Sequence, residues 1–450
     1  MSKKIKTQFK EELKKGTGKT ILLFRRYHKK IDFRKELIEA AIHNPDYDPQ
    51  CSGTRAGYLY EMIWLLPNRI EIENKILKRF LKTYRCSVQQ LFRLALLFSK
   101  NGNDFARAII YKKFKKEIRT PDGGAGGDEI VELDGLSGLH FVAEGLGRSL
   151  IAKETYWEDI AFIRSAEEIL NKKNLLGFLR KAGKSNSQIR VYVQAVEKSM
   201  RNKKKWKRLS YSEVKSRIDH NKQVPLAWSF NASKKELLQA AYDLLKEQDK
   251  KKLLLYLKLF SYRTRFPLGY KPLLNWKKFD TNELKERVFI LLSVFKSSEI
   301  HKLAISNLKN DIFIGRSMQL LKRNFEERDA NLVSKVLKWE NDPDEFHLGA
   351  MNIRDMCSKK RPRSALKLLL PIYKRGYCAG CRERLVRTLV KNRIMPAWIR
   401  KETLLDSDFD TRQYVKRYGK LRKVIRCMIK KRRSSKPHIN RTASGKRKVS

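Results

Sequence analysis

Residues 281–308 read TNELKERVFILLSVFKSSEIHKLAISNL, and this stretch decides the predicted fold. Thr281 can cap a first helix, in which apolar side chains recur every three or four residues from Leu284 to Phe295. Two serines at 297–298 interrupt the pattern, and a second apolar helical face follows. Neither helix can bury its apolar face alone, so the stretch predicts a helix pair that packs on neighbouring pairs.

The same unit recurs nearer the start of the chain. Ser87 and Gln90 have the spacing of a capping box, and an apolar helical face follows them. Asp104 can then cap a second helix, which we expect over residues 105–116. This region therefore predicts another pair of short helices.

The unit also recurs in the second half of the chain. Ser233 and Glu236 repeat the capping box before an apolar face, and a helix is expected around residues 253–260. A further pair is expected over 312–324 and 329–339. Each of these segments supports the same repeating architecture.

The spacing of the units points to one fold class. Successive pairs begin near residues 282, 312 and 344, about 30 residues apart, and strand signals are nearly absent. Short helix pairs at such a spacing are the signature of an α-solenoid. We predict an all-α chain, an α-solenoid of antiparallel helix pairs, with an irregular helical bundle as the alternative. Residues 281–308 resemble a HEAT-type repeat, and this resemblance implies that the helix pairs are HEAT-like.

Two interruptions suggest how the chain divides. Residues 119–138 are rich in glycine and carry acidic side chains that include Asp128, Glu129, Glu132 and Asp134, whereas the stretch after residue 195 is strongly basic. The predicted divisions are an N-terminal helical-repeat half, a basic linker, a C-terminal HEAT-like half and a basic tail, at residues 1–195, 196–232, 233–411 and 412–450. No acidic residue follows Thr411, and the 39 tail residues include 16 Lys and Arg, so the tail is expected to be disordered.

Several segments together resemble a bacterial group of HEAT-like proteins. They are GTGKTILLF, YDPQCSGTRAGYLYEMIWLLP, LFRLALLFSKNGNDFAR, EIVELDGLSGLHFVAEGLG, FPLGYKPLL and CRERLVRTLVKNRIMPAWI, which span most of residues 16–410. These motifs are typical of the arrangement of the helices and are not catalytic signatures. The resemblance therefore implies a helical-repeat fold and no particular reaction.

The composition predicts the charge of the expected partner. The chain has 450 residues, and its 101 Lys and Arg outnumber 48 Asp and Glu, which gives a net charge of +53. A hydrophobic content of 41% is enough for a sizeable core. A folded chain with so much positive charge repels itself, so the excess favours an anionic partner.

The same composition argues against several classes of protein. No uncharged apolar run approaches the ~18 residues that a membrane span needs, and the first residues lack the apolar core of a secretory signal. Six cysteines are too few and too scattered for a disulfide scaffold. The expected location is the cytoplasm.

Basic runs that contain aromatic residues are the strongest functional signal. Cations neutralise phosphates and release counterions, while an aromatic ring can stack on an unpaired base. We expect non-specific binding of nucleic acid or another polyanion, although a single basic run is more often a solvated surface. The predicted contacts are Lys203, Lys204, Lys205, Trp206, Lys207, Arg208, Arg263, Arg265, Arg422, Lys423, Lys430, Lys431, Arg432 and Arg433.

Two other functions remain open from the sequence. One is a non-enzymatic scaffold that holds an acidic protein. The other is a HEAT-like alkylpurine DNA glycosylase, for which Trp157, Glu158 and Asp159 form an aromatic–acid cluster and Asp159 is the candidate catalytic carboxylate. The cluster is equally typical of the first turn of a helix, where acidic residues favour the helix dipole. A non-enzymatic role is the favoured prediction.

A phosphate-binding loop is a weak interpretation of the glycines near the start. Gly16, Gly18 and Lys19 match the end of the motif G-x-x-x-x-G-K-[ST], but Leu13 stands where the first glycine belongs. The segment before them is charged rather than a buried strand. A helix that ends at Gly16 is the better prediction.

Cys378 and Cys381 form the single C-x-x-C motif of the chain. A structural zinc site needs four ligands, and no second pair at finger-like spacing exists, although Cys357 and His347 could approach. We expect two small thiols that pack at the start of a helix, with zinc or redox chemistry as the alternative. Accordingly, no metal site and no cofactor are predicted.

Overall fold

The computed structural model describes residues 2–47, 54–83, 88–120, 125–154, 160–201, 208–225, 228–260, 265–274 and 279–418. Within these ranges the regular structure is helical and contains no β-strand. The prediction of an all-α chain is therefore confirmed for the described part. In those ranges, too, no helix is both long and apolar enough to cross a membrane.

The helices before residue 202 are short apart from one. They are α1 (Ser2–Lys15), α2 (Gly18–Tyr27), α3 (Arg34–Ile42), α4 (Ala56–Ile63), α5 (Arg69–Phe80), α6 (Val88–Lys100), α7 (Asp104–Glu117), α8 (Gly127–Ile151), α9 (Ala161–Leu170), α10 (Leu175–Ala182) and α11 (Ser187–Arg201). Helix α8 is interrupted at Gly135, where φ is 64° and ψ is −132°. Glycine adopts this backbone conformation without a steric penalty, which allows the kink.

The helices after residue 207 are α12 (Tyr211–Asp219), α13 (Trp228–Asn231), α14 (Lys234–Lys246), α15 (Lys250–Leu259), α16 (Asn282–Leu292), α17 (Ser298–Lys309), α18 (Ile314–Asn324), α19 (Ala330–Trp339), α20 (Pro343–Lys360), α21 (Ala365–Arg375), α22 (Ala379–Lys391) and α23 (Ala397–Thr403). A last helix, α24, covers 409–418. It runs across residue 412, where we placed the start of the tail, and its Val415 is buried.

Local caps set several of these helix starts. The capping box at Ser233 and Glu236 is confirmed, and Thr281 caps α16 as predicted. Asp104 does not cap α7. The preceding Asn103 does so, because its side-chain oxygen accepts a hydrogen bond from the backbone N–H of Ala106. Ser87 lies outside the described residues.

Helices pack mainly on helices close to them in the chain. Examples are the contacts of α6 with α7, of α8 with α11, of α17 with α18 and of α18 with α20. The buried apolar side chains form two clusters, one between Ile5 and Val196 and the other between Tyr211 and Val415. The predicted linker segment contributes to the second cluster through Tyr211, Val214 and Trp228.

One contact joins elements that are far apart in the sequence. Helix α2 packs against α23, which brings the two ends of the described chain together. The backbone approach is close, since a Cβ atom at Gly18 would lie 1.8 Å from the carbonyl oxygen of Glu402. The N–H of Ser407 donates to the carbonyl oxygen of Gly16 over 2.9 Å.

Two buried arginines satisfy the last carbonyl groups of α1. Arg55 donates to the carbonyl oxygens of Leu13 and Lys14, at 2.9 and 2.7 Å. Arg382 donates to those of Lys15 and Gly16, at 2.8 and 3.2 Å. Carbonyl oxygens in the last turn of a helix lack donors from a following turn, and they form the negative end of the helix dipole. Arginine is therefore well suited to this position.

Arg382 also forms a bidentate ion pair with Asp406, at 2.7 and 2.8 Å, and both side chains are almost completely inaccessible to solvent. The Asp406 carboxylate raises the pKa of Arg382 against the opposing effect of burial. The guanidinium thus remains charged while it links α1, α22 and the segment after α23.

Candidate functional site

Most of the predicted nucleic-acid contacts lie outside the described residues. These are Lys203, Lys204, Lys205, Trp206, Lys207, Arg263, Arg422, Lys423, Lys430, Lys431, Arg432 and Arg433. Arg208 is described and pairs with Glu236, but its side chain remains 52% exposed. Arg265 is exposed and lies over the ring of Phe295, 5.1 Å from its centroid. The structure does not bring these two arginines together into one site.

A different set of cations lines one groove near the end of the described chain. This basic groove has a volume of about 560 Å³. Arg384, Arg387 and Lys391 are exposed and lie on one face of α22, because their spacing brings them around the helix to the same side. The groove is lined by Arg354, Asp355, Ser358, Arg384, Arg387, Thr388, Lys391 and Tyr414.

The charges of the basic groove are unbalanced. Its one lining carboxylate, Asp355, already pairs with Arg354 at 2.7 Å and with Lys322 at 3.0 Å. Arg387 pairs with Glu383 and lies over the ring of Tyr414, 4.6 Å from the centroid. Within the described ranges, Arg384 and Lys391 have no ion-pair partner. The groove can therefore offer two unpaired cations to an anion.

The groove also adjoins the start of the basic tail. Tyr414, which forms one wall, belongs to α24, and the described chain ends four residues later at Tyr418. Residues 419–450 carry 13 Lys and Arg and no acidic residue. The described chain therefore ends one helical turn after a residue that lines the groove.

The glycines near residue 16 have a structural role. As predicted, α1 ends there, and Gly16 adopts a positive φ of 72°. Gly18 provides the close approach to α23 described above. The side chain of Lys19 pairs with Glu12 at 3.2 Å rather than facing an open loop. The arrangement is that of a helix–helix corner.

The acidic residues of the glycine-rich segment pair with neighbouring helices. Glu132 accepts hydrogen bonds from Arg93 and Lys100 of α6, the second over 2.8 Å. Asp134 accepts from Arg107 and Tyr111 of α7. These carboxylates therefore hold α8 against α6 and α7. The candidate glycosylase residues Trp157, Glu158 and Asp159 lie outside the described residues.

Glu129 in α8 should make stability depend on pH. Burial, reinforced by the Asp128 and Glu132 carboxylates, raises its pKa to about 7 from an ordinary 4.5, although Arg93 acts in the opposite direction. The folded state therefore keeps a proton that the unfolded chain has released. The free energy of unfolding should fall as pH rises from about 4.5 to about 7, and then level off.

Urea unfolding between about pH 5 and about pH 8 checks this expectation. Glu129→Gln should remove this part of the pH dependence. At about pH 8 it should stabilise the protein by about 1–3 kcal/mol relative to wild type. Glu61→Gln, at an exposed glutamate, serves as the control and should leave the profile unchanged. Parallel profiles for wild type and Glu129→Gln would show that Glu129 ionises normally.

The structure brings three potential metal ligands together. His347 on α20, Cys378 before α22 and Cys381 in its first turn form the Cys–His cluster, whose ligand atoms lie within 4.8 Å of one another. The Cys381 Sγ atom is 3.3 Å from His347 Nε2. Cys357, the other residue that we considered, is buried elsewhere on α20 and is not part of the cluster.

The two thiols of the cluster are electrostatically different. Cys378 is the N-cap of α22, and its sulfur accepts a hydrogen bond from the backbone N–H of Cys381 over 3.4 Å. The Cys381 thiol, this backbone bond and His347 lower the pKa of Cys378 to about 6, against the opposing effect of burial. The pKa of Cys381 is raised for the same reason, so Cys378 loses its proton first.

Sequence reasoning missed the basic groove, although a signal for it was present. In the segment CRERLVRTLVK, the cations Arg384, Arg387 and Lys391 recur at helical spacing. They alternate with the buried residues Leu385 and Leu389. This pattern places them on the solvent face of one helix. The sequence prediction relied on aromatic residues inside a basic run. The segment that forms this groove contains no such residue, because Tyr414 belongs to a different helix.

Compared with models of protein families, with curated proteins and with solved structures, the chain matches none of them. Its function must therefore be argued from the geometry of its own residues.

Proposed function

We propose that the chain is a non-enzymatic helical-repeat protein, an α-solenoid of HEAT-like helix pairs, that binds nucleic acid or another polyanion. A division into an N-terminal half, a basic linker and a C-terminal half is part of this proposal, as is a cytoplasmic location. The observation that carries the binding role is the basic groove, in which Arg384 and Lys391 are exposed cations without an ion-pair partner among the described residues.

The chemistry of the groove suits phosphate groups. An arginine can donate two parallel hydrogen bonds to a phosphate, whereas a lysine acts as a point charge. Arg384 and Lys391 are two helical turns apart on α22, so they can contact different phosphates along one backbone. A net charge of +53 supports the same partner, because it attracts any polyanion over a distance.

Binding should be largely independent of base sequence. Contacts to phosphates fix the position of a nucleic acid but carry no sequence information. Among the described residues, the side chains that line the groove form no pattern that reads base edges. Tyr414 is the one aromatic lining residue of the groove, and Arg387 already covers its ring at 4.6 Å.

Fluorescence anisotropy with a labelled generic duplex and a labelled single strand tests the proposal. Arg384→Ala/Lys391→Ala should weaken binding about tenfold and lower the slope of log affinity against log salt by about 2. A chain that ends at Tyr418 should bind more weakly still, with unchanged preference among sequences. Truncation at Tyr418 is preferable to truncation before residue 412, because it retains the buried Val415.

The matched control is Lys172→Ala/Lys173→Ala. It removes the same charge from an exposed turn between α9 and α10 and should have a much smaller effect. Equal weakening by both double variants would show that net charge acts without the groove. No binding by wild type at about 50 mM salt would remove nucleic acid from the proposal, and an acidic protein would become the better partner.

A further inference from the structure

The Cys–His cluster lies at a junction of three parts of the chain. His347 is in the second turn of α20, Cys378 and Cys381 begin α22, and Tyr47 from the N-terminal region stacks on His347 at a centroid distance of 5.1 Å. The basic groove takes other residues of α20 and α22, so the cluster is a separate feature of these two helices. We propose that His347, Cys378 and Cys381 bind a zinc ion, with a fourth position open to solvent.

The donor set matches the preferences of zinc. Two thiolates and one imidazole are soft and borderline ligands that favour Zn²⁺ over the hard ions Mg²⁺ and Ca²⁺. With Zn–S and Zn–N bonds of about 2.3 and 2.0–2.1 Å, a tetrahedral ion would place sulfur and nitrogen about 3.6 Å apart. Cys381 Sγ and His347 Nε2 are 3.3 Å apart, close to that separation.

The backbone favours the same arrangement of sulfurs. The C-x-x-C spacing places both thiols in the first turn of α22, where the backbone N–H of Cys381 already points at Cys378 Sγ. In a tetrahedral site the two sulfurs would lie about 3.8 Å apart, and the ligand atoms of the cluster all lie within 4.8 Å of one another. Small side-chain rotations are therefore enough to form the site.

Neighbouring residues hold the ligands in place. Tyr47 covers one face of the His347 ring, and its hydroxyl donates to Asp344, one turn earlier on α20. Such outer contacts orient metal ligands and tune their basicity.

The fourth position would face a cavity of about 290 Å³. Besides the three ligands, its walls include both charged and apolar residues: the cations Lys15, Arg375 and Arg382, the carboxylates Glu340 and Asp342, and Tyr47, Phe346 and Leu385. Three protein ligands with an open position leave room for water or an exchangeable ligand.

Titration of the reduced full-length protein with Co²⁺, a spectroscopic substitute for Zn²⁺, tests the site. We expect one equivalent to bind with thiolate-to-metal charge-transfer absorption, and Zn²⁺ to displace it. Cys378→Ser, Cys381→Ser and His347→Gln should each weaken binding at least about tenfold. Cys357→Ala, which removes a thiol of α20 outside the cluster, should bind as wild type does.

Circular dichroism of each variant separates loss of the site from loss of the fold. If a cysteine variant is not helical, the binding of Co²⁺ by His347→Gln, which keeps both thiols, shows whether the cluster holds the metal. The proposal is overturned if the reduced wild type shows no charge-transfer absorption. It is also overturned if folded variants bind Co²⁺ as tightly as wild type, or if Cys357→Ala abolishes binding.

Discussion

Arg382→Ala should lower the free energy of unfolding by about 3–5 kcal/mol, the cost of removing one partner of a buried ion pair. Asp406 would remain as an unpaired carboxylate that solvent does not reach. The carbonyl oxygens of Lys15 and Gly16 would lose their side-chain donor at the same time. This substitution disrupts the contact between the two ends of the described chain, so it should destabilise a large part of the molecule.

Urea unfolding followed by circular dichroism measures this loss. Arg387→Ala is the control, because the same helix places this arginine in an exposed pair with Glu383, and such pairs contribute about 0–1 kcal/mol. The double variant Arg382→Met/Asp406→Leu should recover part of the stability, since no buried charge is left unpaired. A loss for Arg382→Ala no larger than that for Arg387→Ala would contradict the role assigned to the pair.

Affinity for nucleic acid should fall by about three orders of magnitude between 50 and 200 mM salt. Each neutralised phosphate contributes roughly 0.9 to the log–log slope on B-DNA, so this estimate corresponds to about six contacts. The basic groove supplies two candidate cations, and the 13 Lys and Arg of residues 419–450 can supply the others. The slope is measured by anisotropy titration at a series of salt concentrations.

Two further results bear on the salt dependence. The chain that ends at Tyr418 should have a clearly smaller slope, because most of the counterion release is assigned to the tail. If Trp206 stacks on bases, Trp206→Ala should weaken single strands more than duplexes, by roughly 1–3 kcal/mol, at unchanged charge. Affinity that does not change with salt would exclude phosphate contacts as the main source of binding.

Local features of the fold could be predicted from the sequence because short-range interactions determine them. Ser233 and Glu236 satisfy each other's backbone groups within one turn, and the Thr281 hydroxyl accepts a hydrogen bond from the backbone N–H of Leu284 at the start of α16. The cap of α7 was predicted one residue too late, since Asn103 and Asp104 are both good caps. The residue type alone does not decide between two such neighbours.

Long-range contacts could not be predicted in the same way. Arg382 and Gly16 are 366 positions apart, and neither residue carries a local signal that names the other. His347 and Cys381 are 34 positions apart, and their meeting depends on how α20 packs on α22. Likewise, the ion pair of Arg208 with Glu236 of the capping box joins residues 28 positions apart, and neither residue carries a local signal for it.

The capping of α1 by Arg382 has a consequence for synthesis of the protein. A ribosome releases the N-terminal helices first, yet the carbonyl oxygens of Lys15 and Gly16 gain their arginine donor only after residue 382 has emerged. The surface of α2 that receives α23 stays uncovered until residues 397–403 have emerged as well. The contact between these distant segments therefore forms late relative to the synthesis of α1 and α2, and during that interval the two helices are open to chaperones.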